Sequence, residues 1–257
     1  MKKYTKFVVV GDNHGHHVSE TSVDAFESFL NHFKPELRIH DGDNWDFGAW
    51  RKGASIEEQN ERNDEDLAAG ADFIKLLRPN IMMLGNHDQR AFDQLESDNV
   101  DRQKSALHAV EKMHEVLRQV NCKKVFEYKV KGPRERDVNF FKYKNLITTH
   151  GMYAGNQSAT RRIAQTVGHP GCVVVHGHTH DFNIITLEHI SGPIVGISSM
   201  MMADVNQLGY SLKRMATTRW TNGWVYGVID ELTGNVKAFT AHKFGTGFII
   251  TEDFKVI

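Results

Sequence analysis

The chain has 257 residues, of which 40% are hydrophobic and 25% charged, with a formal net charge of −1 at pH 7. This length and composition predict one globular domain over residues 1–257 with a sizeable core. The balanced charge excludes a global attraction to nucleic acid or to anionic membranes, and no apolar stretch is long enough for a signal peptide or a membrane span. Two cysteines, Cys122 and Cys172, are too few for a disulfide framework and predict a reducing, cytoplasmic setting. The oligomeric state stays open.

The first half of the chain alternates predicted strands with predicted helices. Apolar runs predict strands over about residues 6–11, 37–40 and 81–84. Apolar residues at helical spacing predict helices over about residues 22–33, 56–77 and 102–120. The Glu- and Asp-rich part of the second helix is interpreted as a solvated face.

The second half is richer in strands. Residues 125–130 and 138–143 look like two strands of a hairpin around a polar turn at 132–136. Further strands are expected at 146–149 and 172–175, with a helix over 159–167 between them, and short strands predominate up to the last residue. This order predicts two packed sheets flanked by helices.

Potential metal ligands follow the conspicuous predicted strands. An Asp or a His stands directly after the first strand, and similar groups follow four more strands; the set is Asp12, His14, Asp43, Asn86, His87, His150, His178 and His180. Open α/β sheets bind ligands at the carboxyl ends of their strands. Carboxylate, amide and imidazole donors without thiolates suit divalent Mn, Fe, Zn, Ni or Co. The number of donors is too large for one ion and indicates two ions that share a carboxylate.

These strand-end motifs carry a family resemblance. They read Gly11-Asp12-Asn13-His14, Gly42-Asp43-Asn44-Trp45-Asp46, Gly85-Asn86-His87-Asp88, His150-Gly151 and Gly177-His178-Thr179-His180. In this order they resemble the calcineurin-like metallophosphoesterases over about two thirds of the chain. The resemblance implies an α/β fold, a four-layer αββα sandwich of two mixed β-sheets flanked by helices, with a dinuclear metal site at the strand C-terminal ends.

The resemblance also implies a role for each motif residue. Its metal ligands are Asp12, His14 and His180 for one ion, Asn86, His150 and His178 for the other, and Asp43 as the bridge. His87 is implied as the catalytic acid or transition-state stabiliser, and Asp46 as the carboxylate that orients it. A hydroxide held between two divalent ions, most simply Mn, would attack phosphorus in line while His87 assists the leaving group.

Motif details narrow the predicted substrate. Protein serine/threonine phosphatases of this family follow the last Asp of the second motif with Arg-Gly and end the third motif with Glu, whereas this chain has Phe47-Gly48 and Asp88. These differences favour a phosphodiesterase, with DNA or RNA as one candidate substrate. A phosphomonoesterase or protein phosphatase is the alternative, and a non-catalytic metal-binding interaction module is a third. No membrane partner is expected.

Several other residues near the motifs have two readings. His40, Asp41, His176 and Asp88 are interpreted as groups that support the ligands. His16 and His17 are either surface histidines, which we favour, or substrate contacts. Arg161 and Arg162 could clamp a phosphate or be solvent-exposed.

The basic turn with Lys129, Lys131, Arg134 and Arg136 could follow a nucleic-acid backbone, although interleaved acidic residues favour a solvated hairpin. Trp220 and Trp224 could stack on bases but are read as packing residues, and Phe140 and Phe141 as core residues.

Overall fold

The computed structural model describes residues 3–129, 139–153, 158–208 and 215–250. Within these ranges the strands are β1 (Tyr4–Val10), β2 (Leu37–His40), β3 (Ile81–Met83), β4 (Lys124–Phe126), β5 (Phe141–Tyr143), β6 (Leu146–Thr149), β7 (Val173–His176), β8 (Ile184–Leu187), β9 (Ile194–Ser198), β10 (Gly223–Asp230), β11 (Val236–Phe244) and β12 (Gly247–Ile249). The α-helices are α1 (Glu20–Phe33), α2 (Ile56–Gln59), α3 (Asn63–Leu77), α4 (Gln89–Gln94), α5 (Val100–Gln119) and α6 (Ala159–Val167). Short 3-10 helices cover Gly15–His17, Gly48–Trp50 and Met215–Arg219.

The strands form two mixed sheets. The larger has the order β12-β11-β10-β1-β2-β3-β4, and the smaller has the order β5-β6-β7-β9-β8. β1 lies between β2, which is parallel to it, and β10, which is antiparallel. Alternate side chains of β1 point to opposite faces, so Val8 and Val10 pack with Phe26 of α1 while Phe7 and Val9 point the other way. Both faces of this strand are therefore buried.

The two sheets pack face to face and carry helices outside. Phe7 and Val9 share one buried cluster with Val173 and Val175 of the smaller sheet, which makes that cluster the layer between the sheets. The other face of the smaller sheet packs against α6, where Ile163 contacts the cluster of Ile147 and Val174. The layers are thus helix, sheet, sheet, helix, and the predicted αββα sandwich is confirmed. Among the residues that the structure describes, no helix combines the length and apolar composition that a membrane crossing requires.

The predicted hairpin of residues 125–130 and 138–143 is wrong. β4 pairs parallel with β3 in the larger sheet, and β5 pairs antiparallel with β6 in the smaller one. The rings of Phe126 and Phe141 meet edge to face across the two sheets, with centroids 6.2 Å apart. Alternating apolar residues predict a strand but not its partner, so two successive strands were free to join different sheets. The predicted turn at 132–136 lies outside the described residues.

The helix predicted over residues 56–77 is divided into two. α2 ends at Gln59 and α3 begins at Asn63, and the acidic residues before and after this break are not all solvated. Asp66 is 2% exposed and Glu58 is 8% exposed. Phe140, read as a core residue, is exposed, whereas Phe141 packs partly buried against the layer between the sheets. The short helix α4 was not predicted.

Candidate metal centre

The motif loops meet at one edge of the sandwich. β1, β2 and β3 run parallel in the larger sheet, and β6 and β7 run parallel in the smaller one. Parallel strands present their carboxyl ends at the same edge. Each motif begins within two residues of the end of its strand, so donors that are far apart in sequence come into contact. The described arrangement brings together all the ligands predicted from the sequence.

One donor group consists of Asp12, His14 and His180. His180 Nε2 lies 3.1 Å from Asp12 Oδ1, and His14 Nε2 lies 3.2 Å from His180 Nε2 and 3.9 Å from Asp12 Oδ1. All three side chains are buried. Two imidazole nitrogens and a carboxylate oxygen thus converge on one point.

The second donor group is built around His150. Its Nε2 lies 3.3 Å from Asp43 Oδ2 and 3.2 Å from Asn86 Oδ1, and its ring contacts that of His178 with centroids 5.2 Å apart. Asp43 also faces the first group, because its carboxylate lies within 4.8 Å of a ring nitrogen of His14. Asp43 is therefore placed between the two groups, as a bridging ligand must be.

The protonation states of His14, His178 and His180 suit metal binding. Burial lowers the pKa of His178 and of His180 to about 3, and it also lowers the pKa of His14. Neutral imidazoles with a free lone pair are the form that binds metal. His150 Nδ1 donates to the backbone oxygen of Asp41 at 2.9 Å, which directs Nε2 toward the other donors. Such a backbone contact is the usual way in which a metal-binding histidine is oriented.

The carboxylates carry the negative charge that two cations would offset. Burial opposes ionisation of Asp43, but His150 and His87 beside it hold the pKa of Asp43 well below its usual range. Burial likewise opposes protonation of His150, but the Asp43 carboxylate raises the pKa of His150 to about 10. The metal-free site therefore keeps a proton on His150 where the lone pair would bind an ion. Oxygen and nitrogen donors of this kind fit borderline-hard divalent ions.

Tight backbone geometry places these ligands. Asp12, His14, Asp43, His178 and His180 all have positive φ angles, between 50° and 74°. Residues other than glycine adopt this left-handed conformation at a cost, and such residues concentrate at functional sites. Gly42 has a φ of 117°, and a Cβ at this position would lie 2.3 Å from His150 Nδ1. The loop can pass this close to the His150 ring only because Gly42 has no side chain.

Asp46 contacts two histidines. Its Oδ1 accepts hydrogen bonds from His87 Nδ1 at 2.6 Å and from His14 Nδ1 at 2.9 Å. Although burial opposes ionisation, these two rings hold the pKa of Asp46 well below its usual range. The predicted contact with His87 is present. The contact with His14 was not predicted, and it links the metal donors to the candidate acid.

Arg90 is a site residue that the sequence analysis missed. It lies on α4, three residues after His87, and its side chain is 15% exposed. Its Nη1 donates to the backbone oxygen of Asp46 at 2.6 Å, and its Nη2 lies 3.2 Å from His87 Nε2. An arginine fixed in this way places a permanent positive charge beside the candidate acid. The spacing of three residues between His87 and Arg90 would have indicated that Arg90 lies near His87 at the start of a helix. The sequence analysis did not use it, because α4 itself was not predicted.

Two buried acids hold the second motif in shape. Asp66 accepts hydrogen bonds from the backbone N–H groups of Asp46 and Phe47 at 3.0–3.1 Å. Asp88 accepts from the backbone N–H groups of Trp45 and Gly85 at 2.9 and 2.7 Å. The predicted supporting role of Asp88 fits these contacts. Asp66 was read as solvated, and that reading is wrong.

The other residues considered as substrate contacts differ in the solvent exposure of their side chains. His17 is buried, so the surface reading fails for it, while His16 is half-buried. Arg161 and Arg162 are exposed, and no described contact brings them to the donor groups. Trp224 is fully buried in the core, and Trp220 packs against His180 with ring centroids 4.4 Å apart.

The other supporting residues lie close behind the ligands. His40 Nε2 contacts Asn13 Oδ1 at 2.9 Å, and His176 Nε2 contacts the hydroxyl of Thr160 at 3.0 Å. Asp41, whose backbone oxygen accepts from His150, is fully buried. Of the basic turn, Lys129 pairs with Asp93, and Lys131, Arg134 and Arg136 lie outside the described residues.

Comparison with known proteins adds no functional evidence. No protein-family model matches the chain, and no curated protein does. Among solved structures it is similar to Vacuolar Protein Sorting 29 from Cryptosporidium parvum, with 12% identity, 97% of each chain covered and a TM-score of 0.49. It is also similar to a phosphatase from Mycoplasma pneumoniae, with 10% identity, 94% and 95% covered and a TM-score of 0.41. A hypothetical protein from Thermus thermophilus has 12% identity, 93% and 99% covered and a TM-score of 0.44. With TM-scores below 0.5, these likenesses carry no weight for activity.

Proposed function

We propose that this protein is a calcineurin-like metallophosphoesterase that hydrolyses phosphoesters with two divalent metal ions, and that phosphodiesters are its preferred substrates. The observation that carries the proposal is the convergence of seven metal-donor side chains from five strand ends, with the His87–Asp46 pair directly beside them. A complete donor set next to a positioned acid favours an enzyme over a metal-binding interaction module.

The contacts among the donors suggest how they would divide between two ions. Asp12, His14 and His180 would hold one ion, Asn86, His150 and His178 would hold the other, and Asp43 would be shared. Two bound ions, with Mn the first choice and Fe, Zn, Ni or Co as alternatives, supply Lewis acidity and a nucleophilic water at neutral pH. Five of the seven donors are buried, and Asn86 and His178 are half-buried.

His87 supplies the proton for the leaving group in this proposal. Asp46 accepts the Nδ1 proton of His87, so Nε2 is the nitrogen through which His87 acts on the leaving group, and it lies 3.2 Å from Arg90 Nη2. The carboxylate of Asp46 fixes the orientation of the ring. Arg90, fixed by the backbone oxygen of Asp46, offers its guanidinium to a phosphoryl oxygen that approaches His87.

The preference for diesters rests on the second and third motifs. Phe47 stands where protein phosphatases of the family carry an arginine, and its side chain is fully buried against Trp50. The carboxylate of Asp88 accepts hydrogen bonds from two backbone N–H groups and does not face the substrate. Neither position therefore supplies a cation to neutralise a phosphomonoester dianion, which favours the singly charged diester. Nucleic acid is one candidate substrate.

The free thiols of Cys122 and Cys172 are consistent with the cytoplasmic location that we propose.

A paired turnover assay tests the proposal. Metal-free protein is reconstituted with Mn²⁺ and supplied with bis-p-nitrophenyl phosphate or p-nitrophenyl phosphate. We expect faster cleavage of the diester, and a loss of about 10²–10⁴-fold in His87→Ala, the range typical of a removed acid catalyst. His108→Ala, which removes an exposed histidine of α5, is the matched control and keeps full activity.

The other outcomes of the assay point elsewhere. Faster cleavage of the monoester contradicts the diester preference and makes the protein a phosphomonoesterase. Two bound ions without turnover of either compound, or of single- and double-stranded oligonucleotides, contradicts the enzymatic proposal and favours a metal-binding interaction module.

A further inference from the structure

A second cluster of metal-donor side chains lies beside Asp46, apart from the two donor groups described above. It consists of His16 and His17, from the short helix after the first motif, and Glu61, from the loop between α2 and α3. One donor atom from each residue lies within 4.8 Å of the other two. His17 Nε2 is 3.8 Å from Glu61 Oε1, and the two imidazole rings have centroids 4.0 Å apart. Two imidazoles and a carboxylate therefore face one another.

The polar atoms of this cluster are buried but not all satisfied. Glu61 Oε2 is inaccessible to solvent and makes no hydrogen bond, whereas His16 Nδ1 faces Asp66 Oδ1 at 3.5 Å. A buried polar atom without a partner costs free energy and calls for a compensating group. A cation bound between these residues is such a group, because Glu61 Oε2 has a lone pair to offer.

Glu61 is brought close to a second carboxylate. A Cβ at Gly48 would lie 2.1 Å from Glu61 Oε2 and 3.0 Å from Asp46 Oδ2, so the two carboxylate oxygens border the same gap, which only a glycine leaves open. Burial and the negative charge of Asp46 raise the pKa of Glu61 to about 7. Two carboxylates at such close quarters repel each other unless positive charge lies nearby.

We infer that His16, His17 and Glu61 form a third divalent-cation site, distinct from the dinuclear centre. A donor set of two imidazoles and one carboxylate is one that Zn²⁺ accepts, and Co²⁺, Ni²⁺ and Mn²⁺ suit it as well. Three protein ligands leave a coordination position open. An ion at this site extends the positive surface from the dinuclear centre past Asp46 and offers an anionic substrate a further oxygen contact. The site's existence does not depend on the proposed function, because ion binding is measured without turnover.

Metal stoichiometry tests the inference. Metal-free protein is dialysed against Zn²⁺ and, separately, against Co²⁺, and bound metal is counted by mass spectrometry. We expect Glu61→Gln, which keeps the shape of the side chain, to bind one ion fewer than the wild type. Glu65→Gln is the matched control, since Glu65 is an exposed residue of α3 that pairs with Arg62, and it binds as many ions as the wild type. The readout is a difference of one ion, so it holds whether the dinuclear centre binds two ions or fewer.

A second variant and a direct image complete the test. If Glu61→Gln does not fold, as judged by circular dichroism, His16→Asn decides, because His16 is partly exposed and its loss disturbs packing less. In crystals of the Zn²⁺-loaded protein, anomalous diffraction at the zinc edge should give a peak about 2.0–2.2 Å from a donor atom of each residue. Equal metal counts in the wild type and the folded variant, or no peak at this position, overturn the inference and leave a metal-free cluster of histidines and carboxylates.

Discussion

Replacing Asp46 by Asn tests whether one carboxylate serves both the metal donors and the candidate acid. The wild-type Oδ1 accepts charge-assisted hydrogen bonds from His87 at 2.6 Å and from His14 at 2.9 Å. Asparagine keeps the size of the side chain and one acceptor oxygen but removes the negative charge. We therefore expect two separable losses, one in metal affinity through His14 and one in turnover through His87.

The size of each loss follows from the strength of the hydrogen bonds. A hydrogen bond to a charged group contributes about 1.5–3 kcal/mol and a neutral one about 0.5–1.5 kcal/mol. Each histidine thus loses roughly 1 kcal/mol or more of orientation and charge stabilisation. Removing the partner of a metal-binding histidine typically lowers metal affinity by about 10–100-fold. We expect Asp46→Asn to weaken binding of one ion by about tenfold. At saturating metal we expect it to lower kcat by roughly five- to tenfold, the factor that corresponds to about 1 kcal/mol.

Two measurements on the same preparations separate these losses. Calorimetric titration of metal-free protein with Mn²⁺ gives the affinity, and diester turnover at saturating Mn²⁺ gives kcat. His87→Ala should lower kcat and leave the affinity within about threefold, because the contact between Asp46 and His14 remains. Asp72→Asn, which removes an exposed carboxylate of α3, controls for the loss of one charge and changes neither quantity. If Asp46→Asn lowers kcat as His87→Ala does but binds Mn²⁺ with wild-type affinity, Asp46 serves His87 alone and our reasoning on His14 is refuted.

Three further predictions follow from the site. Arg90→Lys keeps the positive charge but loses the two-point contact with Asp46 and His87, so we expect kcat/KM for the diester to fall by about tenfold or more. Unchanged kinetics would show that Arg90 does not contribute to the site. Because the pKa of His150 in the metal-free site is raised to about 10, binding of Mn²⁺ at pH 7–8 must release its proton, and apparent affinity should rise with pH. Titration calorimetry in buffers of different ionisation enthalpy measures this release, and its absence shows that His150 is neutral before binding. Asp66→Asn weakens the support of the second motif and should lower the free energy of unfolding by about 1–3 kcal/mol, seen as a lower Tm, while an unchanged Tm contradicts the role given to its hydrogen bonds.

The sequence located the candidate donors that the structure brings together, because each one is a local feature. A donor that stands directly after an apolar strand can be located without knowing which strands are neighbours, since the carboxyl ends of parallel strands share an edge. Asp12 and His180 illustrate this point. They are separated by 168 residues and still meet, with the nitrogen and the oxygen 3.1 Å apart.

Contacts made through the tertiary structure were the ones that the sequence did not predict. Arg90 reaches back 44 residues to the backbone of Asp46, from a short helix whose six residues carry little periodic signal. Asp66 stands in an acidic stretch that resembles a solvated helix face, and only the packing of α3 beneath the second motif shows that its carboxylate is buried.

The sequence by itself thus determined the kind of fold, the positions of most strands and a set of candidate donor residues, because these depend on short-range patterns of polarity. Only the tertiary structure decided that β4 and β5 belong to different sheets, that Asp46 joins His14 to His87, and that His17 is buried beside Glu61. The physical reason is that strand pairing and carboxylate contacts depend on which surfaces come together, and alternation along one strand carries no information about its partner.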